Sequence, residues 1–131
     1  MRLTLLAATA VLVATPAAAH DPQLDGRYTA AYTACLDNAA GTYEMLECAN
    51  AERDIQDRAL NETYQRVMAT LNTGQKAKLR AAQRAWIAYR DARCASFADQ
   101  DWGTLSSVTA RMCIVEMTVQ RLVDVEAYPP N

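Results

Sequence analysis

The four cysteines place the strongest constraint on the fold of this 131-residue chain. An even number of cysteines in a small exported domain indicates two disulfides. Cys35 and Cys48 lie symmetrically about one predicted turn, and Cys94 and Cys113 lie symmetrically about another. Symmetric placement brings two residues to one height on facing helices, which favours the pairs Cys35–Cys48 and Cys94–Cys113. The other two connectivities stay open, because a helical bundle would bring all four cysteines to one end.

The rest of the pattern is helical. Apolar residues recur at intervals of three and four between sparse turn signals, and no strand pattern is visible. Short connections between long helices favour antiparallel neighbours, so we predict an all-α fold, a small up-and-down bundle of about four helices stapled by two disulfides. Thr42 and Thr73 are the predicted N-caps of the second and third helices. The predicted helices span roughly residues 23–38, 43–71, 75–97 and 105–127.

The first residues have the pattern of a secretory signal peptide. Arg2 supplies a positive charge, residues 3–13 are apolar, and residues 17–19 are three small alanines. We predict cleavage after Ala19, which would leave His20 at the mature N-terminus in the periplasm or outside the cell. The apolar stretch is too short for a stable transmembrane helix, and the chain offers no lipid anchor at the cleavage point.

Composition excludes several functions for residues 20–131, which we expect to form a single domain. The formal net charge of the whole chain is −2 and becomes −3 when Arg2 leaves with the predicted signal peptide, and this mildly acidic balance disfavours a general nucleic-acid binder. The one histidine lies at the predicted N-terminus, and no C-x-x-C pair or glycine-rich phosphate loop is present. We therefore expect no metal, no cofactor and no enzymatic activity.

Two polar stripes have two possible interpretations. Asp57 and Asn61 share a face of the second helix, and Gln83 and Arg90 share a face of the third. As a functional site, they would bind a carbohydrate or form a catalytic carboxylate with its partner. As a structural polar network, Arg90 would pair with Asp57 or Asp54, and Asn61 with Gln83, because these positions are nearly level in an antiparallel hairpin. Of the two, we favour the structural interpretation.

The segment ADQDWGTLSS is predicted to be a loop. Asp99 and Asp101 make it acidic, and Trp102 adds an aromatic side chain of the kind that often anchors interfaces. It is a candidate binding loop for a cationic protein partner. The alternative is an ordinary hydrophilic loop whose tryptophan folds back on the bundle, which is the commoner case.

Two motifs resemble a known family. DRALNETY (residues 57–64) and QRAWIAYRDARC (residues 83–94), together with the four cysteines, resemble the lysozyme-inhibitor LprI-like family between about Cys35 and Leu122. The resemblance implies a small exported helical domain with paired cysteines, and its name implies lysozyme inhibition. The core of the family motif is formed here by Leu60, Tyr64, Trp86 and Tyr89.

We therefore expect an exported, non-enzymatic protein-binding domain whose partner is a cationic protein such as a lysozyme-type muramidase. The first alternative is a structural or adaptor module that binds another envelope protein. A less favoured alternative is an enzyme acting on envelope glycans, which requires paired carboxylates facing an open cleft.

Overall fold

Every regular element of the structure is helical, which confirms the predicted fold class. The computed structural model describes Leu24 and residues 26–129, so the predicted signal peptide, its cleavage point and His20 lie outside the described residues. No strand occurs within that range, and none of its helices is long and apolar enough to cross a membrane. The helices are α1 (Ala30–Asn38), α2 (Thr42–Thr70), α3 (Thr73–Ala95) and α4 (Leu105–Glu126), with a short 3₁₀ helix (Gln100–Trp102) between α3 and α4.

The first helix begins later than its sequence pattern predicts. We expected a start near residue 23, but α1 begins at Ala30. Thr29 caps it, because its Oγ1 accepts a hydrogen bond from the backbone N of Tyr32 at 3.1 Å. Just before this, Gly26 has φ +82°, a left-handed conformation that no continuous α-helix passes through.

Both predicted N-caps are wrong by one residue. Gly41 precedes α2, so Thr42 is its first helical residue. Asn72 rather than Thr73 caps α3: its Oδ1 accepts from the backbone N of Gln75 at 2.9 Å. Gln75 Oε1 in turn accepts from the backbone N of Asn72 at 3.0 Å, which completes a capping box. The reciprocal pair fixes the sharp turn between α2 and α3.

The two disulfides are confirmed as the pairs that symmetry favoured. Cys35 and Cys48 join α1 to α2 with their Cα atoms 5.7 Å apart. Cys94 and Cys113 join α3 to α4 with their Cα atoms 5.5 Å apart. Both separations lie in the usual range for a disulfide. Such bonds persist in oxidising compartments, so the structure suits an extracytoplasmic protein.

The last helix forms the centre of the bundle. α4 packs along α2 on one side and against α3 on the other, so α2 and α3 are not the close neighbours that sequence order suggested. Leu60 of α2 packs with Leu122 and Val125 of α4, and Trp86 of α3 covers this cluster. The turn between α2 and α3 is closed by a second cluster of Met68, Leu71 and Leu79.

A buried carboxylate attaches α1 to the rest of the bundle. Glu52 of α2 is 1% exposed and accepts hydrogen bonds from Thr29 N (2.9 Å), Thr29 Oγ1 (2.6 Å) and Gln56 Nε2 (2.7 Å). Gln56 Nε2 also donates to the carbonyl oxygen of Arg27 at 2.9 Å. Burial, and then the charge of Glu52, raise the pKa of the Tyr32 phenol. Glu52 thus fixes the chain at the start of α1.

We predict that Glu52→Gln destabilises the fold, because a neutral amide replaces the charged carboxylate that accepts the buried hydrogen bonds. Hydrogen bonds to a charged group contribute about 1 kcal/mol more than neutral ones, so the free energy of unfolding should fall by about 1–3 kcal/mol, which chemical denaturation followed by circular dichroism will measure. Glu62→Gln, on the exposed side of the same helix, is the matched control and should change the free energy of unfolding by less than about 0.5 kcal/mol. Equal effects of the two substitutions would contradict the role given to Glu52.

We predict different consequences from removing each disulfide. No residue of α1 is buried, so Cys35→Ala with Cys48→Ala should loosen the C-terminal part of α1, while Glu52 still holds its start and α2–α4 stay folded. Cys94 is 0% exposed and joins α3 to the central helix, so Cys94→Ala with Cys113→Ala should destabilise the whole domain, by about 3 kcal/mol. Hydrogen exchange resolved by peptide will test this. Loss of amide protection confined to one helix in the second variant would contradict it.

Candidate functional site

The aromatic and charged segment on α3 joins helices together. Trp86 has two guanidinium groups near its ring: Arg90 Cζ is 5.0 Å and Arg121 Cζ is 5.8 Å from the ring centroid. Both arginine side chains are only 15% exposed, and cation–π contacts strengthen when they are desolvated. Because Trp86 also packs on the Leu60–Leu122 cluster, it links all three long helices.

The polar side chains of α3 contact α4 rather than α2. Gln83 Oε1 accepts a hydrogen bond from Arg121 Nε at 2.9 Å. Arg90 Nη2 forms an ion pair with Asp91 Oδ1 at 2.8 Å, and Arg90 Nη1 donates to Thr118 Oγ1 at 3.5 Å. Sequence reasoning missed Arg121 and Thr118, because the expected partners were sought on α2.

The α2 residues that were expected to pair with α3 find their partners on α2 itself. Asn61 Nδ2 donates to Asp57 Oδ2 at 3.2 Å, and Asp54 forms an ion pair with Arg53 at 2.6 Å. The predicted pairing of Arg90 with Asp57 or Asp54 is therefore wrong, as is that of Asn61 with Gln83. The physical reason is α4, which packs against both helices and offers α3 nearer acceptors and donors.

The four residues at the core of the motif differ in their burial. Leu60 is 1% exposed, and Tyr64 packs partly buried against both apolar clusters. Trp86 is also partly buried. Tyr89 is 58% exposed and lines a cleft of about 530 Å³ between α3 and α4, with Phe97 beside it. Three of the four therefore hold the helices together, and Tyr89 faces outward.

The acidic loop displays its tryptophan to solvent. Asp99 Oδ1 accepts a hydrogen bond from the backbone N of Asp101 at 2.9 Å, which starts the 3₁₀ helix. Gly103, with φ +78°, then redirects the chain into α4. Trp102 is 64% exposed and nearby Leu105 is 55% exposed, so the tryptophan does not fold back on the bundle.

An apolar groove lies beside this loop, between α2 and α3 with α4 as its floor. We call it the α2–α3 groove. It has a volume of about 460 Å³ and is lined by Tyr43 and Leu46 of α2, Ala95 of α3 and Ile114 of α4, among others. Near their shared turn, α2 and α3 are bridged by the cluster of Met68, Leu71 and Leu79, whereas the groove lies toward the disulfide-bearing end, where residues of all three long helices line it.

The groove shares lining residues with a cavity on either side. Ala98 and Ser107 also line a cavity of about 460 Å³ at the acidic loop. Toward the middle of the molecule, Asp91, Arg111 and Ile114 also line a charged cavity of about 320 Å³. The charged cavity is lined by Arg53, Asp54, Asp57, Arg90, Asp91, Arg111 and Ile114.

Chemically, this end of the molecule suits binding. An apolar recess, acidic side chains and an exposed tryptophan lie together there, whereas the part of the chain that the structure describes has no group of three or more His, Cys, Asp or Glu side chains placed to hold a metal ion. Sequence reasoning found the loop and missed the groove. Tyr43 and Leu46, apolar residues on the first turns of α2, were the available signal.

A family model described as lysozyme inhibitor LprI matches residues 33–124. The chain belongs to the LprI family. The matched range contains all four cysteines, α2 and α3 in full and most of α4, so the resemblance drawn from the two motifs is confirmed. The acidic loop and the α2–α3 groove both lie inside this LprI domain.

A relative of this LprI-family chain is an uncharacterised protein of Rhizobium meliloti (strain 1021). It is 28% identical over 126 residues, which cover 85% of this chain and 83% of the relative. No solved structure matches the chain significantly. The family model is therefore the comparison that bears on function.

We predict that Gln83 is energetically coupled to Arg121 and not to Asn61. A double-mutant cycle with Gln83→Ala and Arg121→Ala should give a coupling energy of about 0.5–1.5 kcal/mol, because one charge-assisted hydrogen bond joins the two side chains. The matched cycle with Gln83→Ala and Asn61→Ala should give a coupling near zero. Denaturant unfolding measures both coupling energies. A larger coupling of Gln83 to Asn61 than to Arg121 would support the pairing inferred from sequence.

Proposed function

We propose that this protein is an exported, non-enzymatic inhibitor of lysozyme-type muramidases. The acidic loop of Asp99, Asp101 and Trp102 would form part of the surface that binds the muramidase. Inhibition would follow from occupying the approach to the glycan-binding cleft, because a bound domain of this size excludes a polymeric substrate.

The family match carries this proposal. The LprI model covers most of the chain and is described by lysozyme inhibition. The disulfides support the cellular location, since muramidases act on cell walls outside the cytoplasm and disulfides persist there. The predicted signal peptide would deliver the protein to that compartment.

The charge and exposure of the loop support the choice of surface. Asp99 and Asp101 stand beside a tryptophan that is 64% exposed, and an acidic surface steers a cationic protein toward it. Tryptophan is enriched among the residues that dominate binding energy in interfaces. Most of the area of Trp102 is therefore available to be buried by a partner.

The carboxylates near the charged cavity support a non-enzymatic role. Asp54 and Asp91 each form an ion pair with the adjacent arginine, and Asp57 is exposed and hydrogen-bonded by Asn61. None of the three aspartates is buried. A glycosidase depends on a buried carboxylic acid to protonate the leaving group, so this set is poorly suited to glycan hydrolysis.

We predict that the mature protein inhibits a cationic lysozyme in a turbidity assay on cell-wall suspensions. Trp102→Ser should raise the concentration needed for half-inhibition by about 10-fold or more, as expected for an aromatic anchor. Tyr89→Ser removes an aromatic side chain of similar exposure from the far side of α3 and should change that concentration by less than about 2-fold.

The charge of the loop provides a second measurement in the same assay. Asp99→Asn with Asp101→Asn should weaken inhibition several-fold at low salt and much less at high salt, because exposed charges are screened. No inhibition by the wild-type protein at micromolar excess would refute the proposal. The role of an envelope adaptor would then be tested by capture of partners from periplasmic extract.

A further inference from the structure

We propose that the α2–α3 groove receives an apolar side chain from a basic segment of the muramidase. This inference rests on the proposed function and deepens it. It assigns the main anchoring site to a groove lined by α2, α3 and α4, with the loop of Trp102 as its neighbour, and it states the chemistry of the partner segment.

The apolar lining of the groove is unusual for a surface that stays in water. Tyr43 is 71% exposed on its rim, and Leu46 and Ile114 line its interior. A recess of about 460 Å³ accommodates a large apolar side chain. Burying the apolar lining of the groove and the inserted side chain away from water would strengthen binding by about 10-fold or more for each well-buried side chain.

The mouth of the groove selects a cationic partner. Glu47 stands on the α2 wall and Asp91 on the α3 wall, and Asp99 and Asp101 extend the acidic surface along the adjoining loop. Asp91 is ion-paired with Arg90, so three of these carboxylates remain against the single guanidinium of the groove, Arg111. The local field is therefore negative and attracts lysine and arginine side chains to the rim.

The floor of the groove determines which side chain enters it. Arg111 lies on the floor, half-buried, and takes part in none of the ion pairs among the described residues. A cation inserted between the helices would meet this unpaired guanidinium and be repelled. The partner's apolar side chain therefore enters the recess, and its basic neighbours stay at the rim with Glu47.

The groove and the loop form one surface. Ala98 and Ser107 line both the groove and the cavity at the loop, and Trp102 lies a few residues further along the chain. The partner segment would thus insert a side chain into the groove while Trp102 packs on its flank. Energetic anchors that cluster in this way are typical of protein interfaces.

The first test fills the groove. Ala95→Phe places a bulky ring on the α3 wall of the groove, whereas Ala92→Phe places the same ring on the exposed side of α3 outside it. Both start from exposed alanines of one helix, so their effects on folding should be alike. We expect Ala95→Phe to weaken lysozyme binding by about 10-fold or more and Ala92→Phe by less than about 2-fold, measured by calorimetric titration.

A second pair of variants tests the same site by removing a side chain instead of filling the groove. Tyr43→Ser removes the exposed aromatic rim and should weaken binding about 10-fold, whereas Tyr89→Ser on the far side of α3 should not. Normal binding by both Ala95→Phe and Tyr43→Ser, with inhibition by the wild type intact, would refute the groove as the anchoring site and leave the proposed function standing. Absence of binding by the wild type would instead overturn both.

Sedimentation of the free protein tests the other possible occupant of the groove, which is a second copy of this chain. The proposal expects a monomer at micromolar concentration. A wild-type dimer that Tyr43→Ser converts to a monomer would show that a second copy of this chain fills the groove, and would overturn the assignment to a muramidase.

Discussion

The structure depends on the packing of α4 against both α2 and α3. Leu122 and Val125 of α4 meet Leu60 of α2, and Trp86 of α3 closes the same cluster. Because α4 occupies this position, Gln83 and Arg90 of α3 form hydrogen bonds with α4. At the disulfide-bearing end, α4 also keeps α2 and α3 apart. The groove between them is therefore a consequence of how the core is formed, rather than a separate feature.

The secondary structure and disulfide pairing could be predicted from sequence because they depend on local spacing. Helical periodicity located α2, α3 and α4 to within two residues at each end, and symmetry about two turns identified Cys35–Cys48 and Cys94–Cys113. α1 was predicted too long, since the break at Gly26 requires a backbone conformation that composition alone does not reveal.

The partners of the polar residues could not be predicted, because they depend on which helix faces which. We matched positions on α2 and α3 by their distance from the shared turn, which assumes that helices next to each other in sequence also pack together. The contacts of Gln83 and Arg90 with α4 show that this assumption is wrong. Glu52 was missed for a related reason. It lies four residues after Cys48 and eight before Leu60, hence on the buried stripe of α2, but a lone carboxylate is normally assigned to the solvent side.

The proposed binding surface follows from the same geometry. The Cys94–Cys113 disulfide holds α3 to α4 at the end where the groove opens, and Cys94 itself lines the groove. The loop that carries Trp102 connects these two helices, so the disulfide fixes both its ends. A recess whose walls are joined by a disulfide loses little conformational entropy on binding, which favours affinity. In this LprI-family protein, the motif residues build the bundle, and the less regular segments around them would form the binding surface.

Hydrogen-exchange footprinting of the complex with a cationic lysozyme tests the central claim most directly. We expect binding to slow exchange in residues 43–50 and in residues 98–107, while α1 and the outward face around Tyr89 exchange as in the free protein. Slowed exchange confined to α1 or to the Tyr89 face, or no change anywhere at saturating lysozyme, would contradict it.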